Sequence, residues 1–104
     1  MPNELLHEVY SELALEKILE IEWQLEARNP DRAEAFRQEL SELVGQLLTF
    51  PESAPVVGYR KRVRRRLFKR FPYGILYVIR DEFLLITLIY PLGQNTPFWD
   101  DYIQ

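Results

Sequence analysis

Residues 62–90, RVRRRLFKRFPYGILYVIRDEFLLITLIY, decide the fold. Three runs rich in β-branched, aromatic and large apolar residues, 62–71, 73–80 and 83–90, are separated by FPYG and RDE, which read as turns. This pattern predicts a meander of three antiparallel strands. In the last two runs both alternating faces are apolar: Tyr73, Ile75, Tyr77 and Ile79 against Leu76 and Val78, then Phe83, Leu85 and Ile89 against Leu84, Ile86 and Leu88. Both faces of such a sheet need cover. Helices supply one side, and the other is left to a chain end, an oligomer or a partner.

Upstream of the meander the period changes. LLHEVY at 5–10 reads as a short strand, and Ser11 is placed to cap a helix because its hydroxyl can accept a first-turn N–H. From Glu12 to Arg28 the pattern is helical. Ala14, Ile18, Ile21 and Leu25 form one seam, Leu15, Leu19 and Trp23 lie beside it, and Glu12, Glu16 and Glu20 make an opposite charged stripe. RNPDR closes this helix and opens the next, with Asn29 as cap, Pro30 in the first turn and Asp31 facing the helix dipole. Ala33, Phe36, Leu40, Leu43, Val44 and Leu47 continue a second amphipathic helix to about Leu48, and the short turn predicts an antiparallel hairpin. TFPESAPVVGY then breaks the period and reads as a loop. The prediction is an α+β fold, β-α-α-β-β-β, with a helical hairpin packed on an antiparallel sheet in one domain spanning residues 1–104.

Composition narrows the chemistry. The 104 residues contain no cysteine and one histidine, His7, so no disulfide, thiol nucleophile or metal cluster is expected, and no cofactor is implied. The opening MPNELLHEVYSEL lacks the basic and apolar segments of a secretory signal. No apolar run approaches the roughly 18 residues of a membrane span, so the expectation is a cytoplasmic protein with no membrane partner. The net charge of −3 conceals a division: residues 1–52 carry a net −8 and residues 53–104 a net +5. An anionic partner for the second half, or attraction between the halves, follows from it.

The basic strand supplies the first set of candidate site residues. In a regular strand Arg62, Arg64, Arg66, Phe68 and Arg70 point one way and Val63, Arg65, Leu67, Lys69 and Phe71 the other. The second set holds more of the apolar residues, which predicts that Val63, Leu67 and Phe71 face the helices while Arg62, Arg64 and Arg66 project away. Guanidinium groups about 7 Å apart grip successive phosphates or carboxylates, and Phe68 and Tyr77 offer stacking surfaces. The alternative is a solvated edge strand whose cations block pairing with other edges. The segment YPLGQNTPFW provides the second set: Gln94 and Asn95 at a turn, Tyr90, Tyr102 and His7 as proton carriers, Phe98 and Trp99 as a C-terminal plug. Asp81, Glu82, Asp100 and Asp101 read as solvated. The sequence has no Walker loop, HExxH, GxSxG or nucleotide fingerprint.

Taken together, NPDRAEAFRQEL, RRRLFKRFPYGILYVI, the following apolar strand and TPFW resemble the RelE/ParE superfamily of toxins from type II toxin–antitoxin systems, over residues 14–99. KRFPYGILY is the most specific part. The resemblance implies a helical hairpin against an antiparallel sheet with one N-terminal strand, and a growth-inhibiting protein neutralised by an antitoxin, in a hetero-oligomer with it and a homodimer when free. RelE-like members cleave messenger RNA on the ribosome with Lys and Arg at the phosphate, and ParE-like members poison DNA gyrase. Transferred to this chain, anion or partner binding falls to Arg62, Arg64, Arg66, Phe68, Arg70 and Tyr77, and catalysis, where present, to Arg64, Arg66, Arg80 and Tyr90. The chain departs from many relatives at the end of the last strand, where Tyr90, Pro91, Leu92, Gly93 and Gln94 stand in place of a His followed by Arg. With an acidic pI of about 5.2, the ParE-like reading is preferred, ahead of an mRNA endonuclease and a non-toxic binding domain.

Overall fold

Ser11 starts the helical layer. Its hydroxyl accepts the Ala14 backbone N–H at 3.0 Å and donates to the Thr87 carbonyl at 2.9 Å, so one side chain caps the first helix and fastens it to the last strand. The computed structural model describes residues 6–58 and 62–93. In chain order the elements are β1 (His7–Tyr10), α1 (Glu12–Arg28), α2 (Pro30–Thr49), β2 (Val56–Gly58), β3 (Val63–Leu67), β4 (Tyr73–Arg80) and β5 (Phe83–Pro91). Asn29 ends α1 in extended backbone and caps α2 by accepting the Asp31 N–H at 2.9 Å. The α+β arrangement with a helical hairpin against a sheet is the one expected from the sequence.

The five described strands form one sheet in the order β1-β5-β4-β3-β2. β3, β4 and β5 are the antiparallel meander, and β1 lies parallel to β5 with His7 opposite Phe83 and Tyr10 opposite Ile86. The helical hairpin carries the chain from β1 at one edge of the sheet to β2 at the other, and the meander then brings β5 back beside β1. One segment corrects the sequence reading: VVG at 56–58, expected in a loop, is β2, paired antiparallel with β3 across a register shift. Its β-branched pair was masked by the prolines around it.

The hairpin covers one face. Ala14, Ile21 and Leu25 from α1 and Ala33, Phe36, Leu43, Val44 and Leu47 from α2 pack on Ile75, Tyr77, Leu84, Ile86 and Ile89. Phe36 is the hub, stacked on Phe68 at 5.5 Å and edge-on to Phe71 and Tyr73 at 5.8 and 5.6 Å. On the opposite face Val63, Leu76, Val78 and Leu88 form a second buried cluster, with Leu13, Val57, Leu85 and Tyr90 packed against it.

Strand β5 does not alternate as the sequence suggests. The register shifts at Leu76/Tyr77, where Leu76 faces Leu88 but Tyr77 faces Ile86, leaving Thr87 as an extra residue. A bulge of this kind reverses the faces beyond it. Ile89 therefore joins Leu84 and Ile86 under the helices, and Leu88 joins Leu85 on the other side. The buried Thr87 hydroxyl donates to Leu76 O at 3.3 Å, and the Thr87 carbonyl is the one taken by Ser11, so the extra residue is where helix α1 is anchored.

Candidate functional site

The basic stretch is shorter and turned the other way from its sequence reading. β3 covers five residues, Val63–Leu67, rather than ten. Arg62 precedes it in a turn with φ of 54°, and residues 68–72 form a tight connection to β4. Pairing fixes the faces: Arg64 lies opposite Tyr77 and Arg66 opposite Ile75, both helix-facing, whereas Val63 belongs to the far cluster. Arg64 and Arg66 thus sit on the helix side of the sheet. Phe68 and Phe71, an odd number of residues apart, both reach the core because the strand ends at Leu67.

What holds Arg64 and Arg66 there is the last turn of α2 and the loop that follows it. Arg64 reaches across from β3 and donates Nη1 to the carbonyls of Glu52 at 3.1 Å and Ala54 at 2.6 Å, with Nη2 3.7 Å from the Glu52 carboxylate. Its side chain is 11% exposed. Arg66 donates to the Gln46 amide oxygen. Tyr77, fully buried, donates its hydroxyl to Pro51 O at 2.7 Å, and burial raises its pKa against the lowering influence of Arg64. These three side chains bind residues 46–54 to the sheet.

A carboxylate performs the same service at the next turn. Glu39 on α2 is buried, and its oxygens accept the backbone N–H groups of Lys69 and Arg70, the latter at 3.0 Å. The side chains of Lys69 and Arg70 are thereby held outward. Arg70 also pairs with Glu42 at 3.1 Å, and the guanidinium of Arg32 lies 5.0 Å above the Phe71 ring. Arg28 and Pro72 line one groove of about 720 Å³ between α1 and the end of β5, together with Lys17, Gln24, Tyr73 and Ile89. The exposed cations Arg28, Arg32, Lys69 and Arg70 accordingly gather at the end of the molecule where the α1–α2 turn meets the β3–β4 turn.

The residues nominated from sequence therefore do not converge. Phe68 and Tyr77 are buried, Arg64 and Arg66 face inward, and Arg62 and Arg70 are exposed at opposite ends of β3. Arg80 pairs with Phe83, and Tyr90 with Gly74, at the other end of β4, six strand residues or roughly 20 Å away. Tyr90 packs its ring over Gly74, where an added Cβ would lie 2.8 Å from it. His7 stands near Arg80, its ring 6.0 Å from the intervening Phe83. Gln94, Asn95, Phe98, Trp99, Asp100, Asp101 and Tyr102 lie outside the described residues. Among the described residues no cluster of three or more His, Cys, Asp or Glu is arranged to hold a metal, and no helix is long and apolar enough to cross a membrane. Arg28 and Arg32 were missed as candidates because the β3–β4 turn that meets them is about forty residues away in the chain.

With this architecture in view, comparison decides the family. The family described as ParE toxin of type II toxin-antitoxin system, parDE, matches residues 9–90. The chain belongs to the ParE toxin family. It is a type II toxin of a toxin–antitoxin system, in the ParE-like branch of the RelE/ParE superfamily, and an antitoxin is its expected class of partner. Among solved structures it is similar to a chain of the chromosomal ParDE TA system from P. aeruginosa, with a TM-score of 0.73 and 15% identity over 86% of this chain and 98% of that one. At that identity the likeness concerns the fold. Comparison with curated protein sequences gives no match.

Proposed function

We propose that this ParE-family chain arrests growth by binding DNA gyrase and inhibiting it, and that a cognate antitoxin neutralises it by covering the basic end formed by Arg28, Arg32, Lys69 and Arg70. The observation that carries the reading is the scatter of Arg64, Arg66, Arg80 and Tyr90 over both faces and both ends of the sheet. Cleavage of RNA needs a base, an acid and a phosphate-binding cation within hydrogen-bond reach of one another. The described residues instead offer an exposed group of cations, a surface suited to contact with an acidic partner. Inhibition by binding asks only for such a surface.

The test is a supercoiling assay with purified gyrase and relaxed plasmid. Wild-type chain is expected to inhibit supercoiling in a dose-dependent way, and the Arg28/Arg32/Lys69/Arg70→Ala variant, with folding verified by circular dichroism, to inhibit far less. Full gyrase activity at high toxin concentration removes the proposed target. Codon-phased cuts in translated messages would replace it with the endonuclease reading.

A further inference from the structure

Helix α1 has an exposed apolar ridge that the core does not use. Leu15, Leu19 and Trp23, expected from sequence to lie beside the buried seam, are 49%, 65% and 78% exposed. Their spacing of four residues sets them in one row along about 12 Å of helix. Single exposed apolar residues are ordinary on soluble proteins, but a contiguous row ending in an exposed tryptophan marks a contact surface.

The charges beside the ridge identify what fits it. Glu12, Glu16 and Glu20 stand three residues before Leu15, Leu19 and Trp23, and Glu22 and Glu26 stand three residues after Leu19 and Trp23. Both flanks are therefore acidic. Lys17 pairs with Glu20 at 3.6 Å, and Arg37 is shared by Glu22, Glu26 and Glu34 at 3.0, 3.5 and 3.3 Å, which leaves the surroundings strongly negative. A second copy docking ridge to ridge brings these carboxylates together. A helix with an apolar stripe bordered by lysine or arginine meets the leucines and the glutamates at once.

We infer that the outer face of α1 is a docking surface for a basic amphipathic helix of a partner protein. This surface is opposite in charge to the basic end proposed for gyrase and antitoxin, so one acidic ligand cannot serve both. It stands independently of the proposed gyrase target.

The probes are two synthetic peptides about 18 residues long, five helical turns, with the same leucine stripe and either lysine or glutamate flanks. Trp23 reports directly in a Trp99→Phe background, because the chain has only two tryptophans. Calorimetry on the unmodified chain keeps the result independent of that substitution. The lysine peptide is expected to shift Trp23 emission to the blue and protect it from acrylamide. Its affinity should fall by about tenfold or more on raising salt from low to high ionic strength, and again in the Leu19→Ser and Glu16→Lys variants. Equal binding of both peptides, binding of neither, or a Trp23 shift that follows toxin concentration without peptide would overturn the inference, the last in favour of a second copy.

Discussion

The two charged regions of this toxin are used in opposite ways. The basic strand β3, which looks in the sequence like a row of exposed cations, turns Arg64 and Arg66 inward to hold the last turn of α2 and the loop after it. The acidic helix α1, which looks like an ordinary solvated face, carries an apolar ridge open to solvent. Charge density along a chain says how much charge there is. Strand register and tertiary contacts decide whether that charge meets a partner or the protein itself.

The contrast predicts unequal costs of substitution. The largest belongs to Glu39, which belongs to the inward group although it is acidic. Glu39→Leu leaves the Lys69 and Arg70 backbone N–H groups without their acceptor and should cost about 3 kcal/mol in urea unfolding. A near-neutral result would mean that the β3–β4 turn does not need its buried carboxylate. Next is Gly74→Ala, whose Cβ would press on the Tyr90 ring at 2.8 Å. We expect a loss of about 2 kcal/mol, largely relieved in a Tyr90→Leu background, as overpacking requires.

Tyr77→Phe sharpens the comparison through pH. Removing the bond to Pro51 O should cost about 1 kcal/mol near neutrality. Burial raises the Tyr77 pKa above the roughly 10 of an unfolded tyrosine, so above that pH the unfolded chain binds fewer protons than the folded one. The contribution is complete below about pH 10 and is lost as pH rises through the folded pKa. Tyr10 is raised in the same direction by burial and its bond to Glu8, so Tyr77→Phe should reduce the alkaline fall in stability without abolishing it. An unchanged slope in a pH series of thermal melts would argue against a buried, neutral Tyr77.

The smallest effect is expected on the outward group. Leu19→Ser should change the unfolding free energy by no more than about 0.5 kcal/mol, because the side chain already lies in water. A loss well above that would place Leu19 in a packed contact and weaken the case for an open ridge.

Local chemistry explains which parts of this design were legible in the sequence. Ser11, Asn29 and Pro30 fix the helix starts through bonds or dihedrals within a few residues, and α1 and α2 fall where those signals put them. β4 and β5 were legible from their apolar runs. The inward turn of Arg64 was not, because it follows from pairing with Tyr77 thirteen residues away and from carbonyls of Glu52 and Ala54 in the loop after α2. Thr87 gives no local sign of a bulge, so the faces of Leu88 and Ile89 were exchanged in the sequence reading. The apolar ridge was visible as residues but not as surface, since a pattern alone does not show how wide a stripe the sheet will cover.

The most direct test of inward use is urea unfolding of Arg64→Ala beside Arg62→Ala, two arginines of the same run with different surroundings. Losing the bonds to Glu52 O and Ala54 O should lower the stability of Arg64→Ala by about 2 to 3 kcal/mol. Arg62, exposed in the turn before β3, should change it by no more than about 0.5 kcal/mol. Equal, negligible effects at both positions would show that Arg64 is not a structural tie and would contradict this account of the basic strand.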